Sequence, residues 1–138
     1  MSFENPDDGE IRALLQGVKR IAVVGLSPKA HRDSYRVSAY MQRAGYEIVP
    51  VYPREDEILG ARVYRSLAEV PGHVDLVNVF RRAEEVAGVV DEFLATDAPA
   101  IWLQYDCVDE AAAQRARERG RAVVMDRCLM VDHNRLLS

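Results

Sequence analysis

Five short runs of apolar, mostly β-branched residues punctuate the chain: Ile21 to Val24, Ile48 to Val51, Val74 to Phe80, Ile101 to Leu103 and Val123 to Met125. Their starts lie about 22 to 27 residues apart, close to the length of one strand with its crossover helix. Each run is apolar on consecutive positions, the pattern of a strand covered on both faces. Between the runs the period becomes helical. Val37, Tyr40, Met41 and Ala44 share one stripe, with Gly45 where a C-terminal cap belongs, and Val86, Val89, Val90, Phe93 and Leu94 share another. Asp109 to Arg119 has acids in its first turn and bases near its end, which suits the helix dipole. Ile11, Leu14, Leu15 and Val18 predict a helix before the first strand, and Leu129 to Leu137 predicts one after the last. Ser66 with Glu69 has the spacing of a capping box and predicts a shorter helix.

Regular strand and helix alternation implies an α/β fold: a single doubly wound parallel-sheet, Rossmann-like domain of about five strands with helices on both faces. The chain of 138 residues is the size of one domain, so one unit is expected over residues 1–138, with residues 1–9 as a flexible lead. Apolar residues at 49% and charged residues at 29% exclude a disordered or collagen-like chain. The net charge of −4 disfavours a duplex nucleic-acid binder. No apolar stretch is long enough to span a membrane and the first ten residues are polar, so no membrane association and a cytoplasmic location are expected. Cys107 and Cys128 form no CxxC pair, which points to reduced thiols rather than a disulfide or zinc framework.

In doubly wound sheets ligands bind beyond the C-terminal strand ends, near the point where strand order reverses. There the first run gives way to Gly25-Leu26-Ser27-Pro28-Lys29-Ala30-His31-Arg32-Asp33-Ser34-Tyr35-Arg36. The three glycines of a dinucleotide loop are absent, since only Gly25 is present. What remains still suits an anion: Gly25 permits close backbone approach, Ser27 and Ser34 offer hydroxyls, and Lys29, Arg32 and Arg36 bring charge to a helix N-terminus. After the second run come Tyr52, Pro53 and Arg54, where an NAD protein would favour a carboxylate. Arg54 instead suits a phosphorylated ribose, as in NADP or coenzyme A. Arg81 and Arg82 follow Phe80 at the third strand end, and Tyr52, Pro53 and Phe80 could wall an adenine pocket.

The segments IAVVGLSPKAHRDSYRVSAYMQRAGYEIVPVYP, VDLVNVFRR, IWLQYDCVDEAAAQRARERG and VVMDRCLMVDHNRL resemble the small prokaryotic coenzyme A-binding proteins, similar to the CoA-binding Rossmann domain of succinyl-CoA synthetase α subunits. The resemblance runs from about Ile11 to Leu136. It implies a stand-alone module for coenzyme A or an acyl-CoA. Under it, Gly25, Ser27, Pro28, Arg32, Ser34, Tyr35 and Arg36 match the phosphate loop and helix start. Tyr52, Pro53 and Arg54 match the nucleotide edge of the second strand, and Phe80, Arg81, Arg82 and Gln104 the edges along which a pantetheine arm would pass. The chain departs from the family pattern at Asp33, at Tyr52 and at Asp106, which stands where glycine is common.

Enzyme signatures are sparse. Ser27 completes no GxSxG motif, and Asp126, Cys128, Asp132 and His133 match no zinc spacing. Cys128 reads as a packed small side chain and Trp102 as core. The expected function is therefore a non-catalytic module binding coenzyme A or an acyl-CoA, with a small nucleotide thioester as its partner and a homo-oligomer or protein partner left open. The alternative is an NADP-dependent or other nucleotide-using enzyme completed by an oligomer partner.

Overall fold

The computed structural model describes residues 3–138, and each apolar run supplies a strand, the run Val74 to Phe80 only over Leu76–Val79. The elements are α1 (Asp8–Gly17), β1 (Arg20–Val24), α2 (Asp33–Arg43), β2 (Glu47–Val51), the two-residue strands β3 (Glu57–Ile58) and β4 (Ala61–Arg62), β5 (Leu76–Val79), α3 (Val86–Leu94), β6 (Ala100–Leu103), α4 (Glu110–Glu118), β7 (Ala122–Met125) and α5 (Leu129–Leu137). Five of the strands form one parallel sheet in the order β2-β1-β5-β6-β7. The chain steps outward from β1 to β2, then returns past β1 to β5, so the winding reverses between β1 and β5.

Alternation along β1 shows why its run is apolar without a break. Ile21 and Val23 pack with Ile11 and Leu15 of α1, Val37 and Met41 of α2 and Leu129 of α5. Ala22 and Val24 pack on the other side with Val86 and Phe93 of α3 and Ala112 and Ala116 of α4. Successive side chains on a strand point to opposite faces, so a sheet sandwiched by helices needs apolar residues at every position. Trp102 is fully buried on the α1, α2 and α5 side, where its indole N–H donates to the Arg127 carbonyl at 2.8 Å.

Three details depart from the sequence expectation. The capping-box spacing at Ser66 produces only a 3-10 turn, Leu67–Glu69, because the Ser66 hydroxyl bonds the Glu69 carboxylate at 3.2 Å instead of capping an amide. The hairpin β3–β4 has no periodic signature, being two residues on each side; its turn is Leu59 and Gly60, at φ 55 and 74, the double positive φ of a tight hairpin. The N-terminal segment is also tied down where it is described. Asn5 donates to the Met125 carbonyl at 2.9 Å and accepts from the Met125 amide at 2.8 Å, pairing with the outer edge of β7 as a neighbouring strand would. Asp7 caps α1 in a reciprocal box with Glu10.

Candidate functional site

Gly25 ends β1 at φ 86, and a Cβ placed on it would stand 2.2 Å from the Phe80 carbonyl oxygen. The reversal in winding brings the ends of β1 and β5 so close that only glycine fits between them. The ladder continues past the strands, with the Gly25 amide donating to Val51 at 2.9 Å and the Phe80 amide to Val24 at 2.9 Å. Above this junction the chain makes an open turn before α2. The buried Ser34 hydroxyl accepts from the Ser27 amide at 3.0 Å, and the Ser27 hydroxyl accepts from the Lys29 amide at 3.1 Å. Both serines therefore hold the loop in shape, and each keeps a hydroxyl hydrogen for another acceptor. No side chain caps the N-terminus of α2.

A cavity of about 670 Å³ opens on this loop. Of the residues singled out in the sequence, Gly25, Ser27, Arg32, Ser34, Tyr52, Phe80, Arg81 and Arg82 line it. Lys29, Asp33, Glu85, Tyr105 and Cys107 complete the wall. Four cations thus face two carboxylates in a chain whose overall charge is negative. Glu85 approaches Arg81 at 3.4 Å and Arg82 at 3.8 Å, whereas Lys29 and Arg32 make no ion pair among the described residues.

Arg36 and Gln104 lie outside that wall. They line a second cavity of about 290 Å³ between α2 and α5, adjoining the first through the shared residues Asp33, Phe80 and Tyr105. Arg36 is ion-paired with Asp33. Pro28, Tyr35, Pro53 and Arg54 line neither cavity. Tyr35 packs against the hydrophobic cluster beneath α2, and the Arg54 carbonyl accepts from Arg65 at 3.0 Å while its own side chain stays exposed and unpaired among the described residues.

Tyr105, Glu85 and Cys107 were missed because their place depends on turns after β5 and β6 that carry no periodic signal. Tyr105 is 57% exposed, although large and apolar. Cys107 is buried, with its thiol 3.0 Å from the Arg81 carbonyl, and burial pushes it above its ordinary pKa into the neutral form. The C-terminal polar cluster is engaged internally. Asp126 accepts from the Asp106 amide at 2.9 Å, the buried Asp132 pairs with Arg127 at 2.8 Å and Arg135 at 3.2 Å, and His133 meets the Tyr40 hydroxyl at 2.9 Å. Among the described residues no three His, Cys, Asp or Glu side chains are grouped to hold a metal ion. Among them, too, no helix is long and apolar enough to cross a membrane.

Residues 19–134 match the family model described as a CoA binding domain. The chain is 53% identical over 131 residues to the uncharacterized protein YneT of Bacillus subtilis, covering 95% of this chain and 97% of that one. A shorter stretch of 57 residues is 39% identical to the acetate–CoA ligase (ADP-forming) II subunit alpha of Pyrococcus furiosus, 41% of this chain but only 12% of that protein. Among solved structures, a hypothetical protein from Pyrococcus horikoshii superposes with a TM-score of 0.92 at 34% identity, each chain covered completely.

Proposed function

Because the chain belongs to the CoA binding domain family, we propose that it is a binding module for coenzyme A or an acyl-CoA, held in the crevice above Gly25 and Phe80. The observation that carries this reading is the wall of the larger cavity, where Lys29 and Arg32 are unpaired among the described residues and Arg81 and Arg82 stand at the adjoining strand end. The donor set fits a diphosphate: two serine hydroxyls, the uncapped first turn of α2 and four cations, over a glycine whose missing side chain leaves the strand ends open. Tyr52 and Phe80 supply apolar surface for an adenine ring at the same wall.

In this reading Arg54, exposed beyond Tyr52, serves the phosphate on the ribose. The crevice holds no nucleophile with an adjoining base: the Ser27 hydroxyl is turned to the Lys29 amide and Cys107 is held as a neutral thiol. The module accordingly carries or senses the thioester rather than making it. Two buried free thiols suit a reducing cytoplasm. Arg54 suits a ribose phosphate on either coenzyme, so the preference for coenzyme A over the nicotinamide alternative rests on the family match.

Calorimetric titration with CoA, dephospho-CoA, NAD and NADP tests the proposal. CoA is expected to bind in the micromolar range, which corresponds to about 8 kcal/mol, and the nicotinamide dinucleotides more weakly. Binding of NADP without CoA overturns the proposal, and dephospho-CoA binding as tightly as CoA removes Arg54 from it.

A further inference from the structure

The smaller cavity, between α2 and α5, is not explained by phosphate binding. Its volume of about 290 Å³ is roughly the share of ten liquid waters, too small for a nucleotide but open to the larger cavity past Phe80 and Tyr105. Val37, Phe80, Met130 and Val131 give it apolar walls, and its charged residues, Asp33 and Arg36, are paired with each other. Tyr105 and Val131, 57% and 45% exposed, are two of the large apolar side chains the fold leaves to solvent, and both stand on this cavity.

Gln104 is the second, independent observation. It is 4% exposed, and its side-chain carbonyl accepts from the Leu129 amide at 3.0 Å. A backbone N–H can only donate, so this bond fixes which end of the amide is oxygen. The Nε2 group is left with no hydrogen bond among the described residues, on the wall of a cavity that otherwise offers little to a polar guest. Unlike the Asn78 amide, Nε2 is not among the fully buried unpartnered atoms, so it stands on the cavity wall as a donor that an acceptor on a guest can reach.

Resting on the proposed CoA reading, we infer that this chamber takes the acyl end of an acyl-CoA whose acyl group is short, uncharged and apolar, with Gln104 Nε2 donating to the thioester carbonyl. Pantetheine alone fits the walls less well, because its two amides need more partners than Gln104 provides. A dicarboxylic acyl group would bring its carboxylate against Val37, Met130 and Val131, where the cation on the wall, Arg36, is already held by Asp33.

The test is calorimetric titration of the protein with CoA, acetyl-CoA, butyryl-CoA, hexanoyl-CoA and succinyl-CoA, repeated on Val131→Asp and Gln104→Glu. Val131 is exposed enough for aspartate to be tolerated, and glutamate at 104 keeps the acceptor for Leu129 while removing the donor. Affinity is expected to rise by roughly two- to four-fold per added methylene up to the four- to six-carbon acyl chains, with succinyl-CoA at least tenfold weaker than butyryl-CoA. Val131→Asp should flatten the chain-length series, and Gln104→Glu should lower the preference for acyl-CoA over CoA. Equal binding of CoA and all its acyl forms, or succinyl-CoA as tight as butyryl-CoA, overturns the acyl chamber and leaves the CoA reading standing. If no member of the series binds, the CoA reading fails, and the chamber assignment with it.

Discussion

The two ends of the parallel sheet treat their polar groups in opposite ways. At the N-terminal edge the arginines that lead into β1 and β7, Arg20 and Arg121, are both engaged. Arg20 donates to the carbonyls of Pro71 at 2.7 Å and His73 at 3.2 Å and pairs with Glu47 at 2.9 Å. Arg121 reaches the carbonyls of Thr96 and Ala98 at 3.0 Å each and those of Phe93 and Leu94 at 3.4 Å. Asp75 accepts from the Lys19 and Arg20 amides at 3.0 and 2.9 Å. At the C-terminal edge, among the described residues, Lys29 and Arg32 face a cavity unpaired, α2 begins without a side-chain cap, and the Gln104 Nε2 group has no partner. One edge is closed by its own residues and serves stability; the other leaves donors unpartnered among the described residues, the arrangement the proposed binding site requires.

The largest expected effect comes from closing the open edge. Gly25→Ala drives a methyl group into the Phe80 carbonyl at a positive φ, which should cost about 2 to 4 kcal/mol of stability and abolish CoA binding, read by thermal melting and calorimetry. Arg121→Ala at the opposite edge should remove about 2 to 3 kcal/mol of stability yet leave CoA affinity within twofold. If it weakens binding instead, the division between the edges is wrong.

Arg32→Ala should weaken CoA binding by about 1.5 to 3 kcal/mol with an unchanged melting temperature. Arg36→Ala should do less, because Arg36 is already paired with Asp33 and lines only the smaller cavity. Comparing the two isotherms sharpens which guanidinium meets the phosphates.

The smallest effect is a pH dependence at the closed edge. Burial pushes the Asp75 carboxyl up, but the Arg20 and Lys19 amides with the His73 ring hold it below its usual value. A depressed carboxylate stabilises the fold fully above the unfolded-state pKa of about 3.9, and that contribution is lost as pH falls through the lower folded value. Asp75→Asn should therefore flatten the melting-temperature profile below about pH 4, without changing CoA affinity at pH 7.

How much was legible in the sequence differs by physical cause. The five parallel strands and the helices α1 to α5 follow from periodicity, because burial on two faces or one leaves a direct trace in residue type. That Gly25, Ser27, Arg32, Phe80, Arg81 and Arg82 line one cavity was legible because loops after buried parallel strands gather at the C-terminal edge of the sheet. Glu85, Tyr105 and Cys107 were not, since turns with no period decide what they face. The position of Asp106 becomes intelligible only in three dimensions: it sits at φ 66, a left-handed conformation that glycine adopts without strain, which accounts for glycine being common there in the family pattern. The role proposed for Gln104, an acceptor for α5 with a donor left unpartnered among the described residues, depends on a contact 25 residues away.

The most direct test of the open edge is to follow backbone amide resonances while CoA is added. The account predicts that shifts concentrate at Gly25 to Arg36 and Phe80 to Arg82 while Lys19, Arg20, Asp75 and Arg121 stay still. Shifts centred on that second group, with the loop after β1 unmoved, would contradict it.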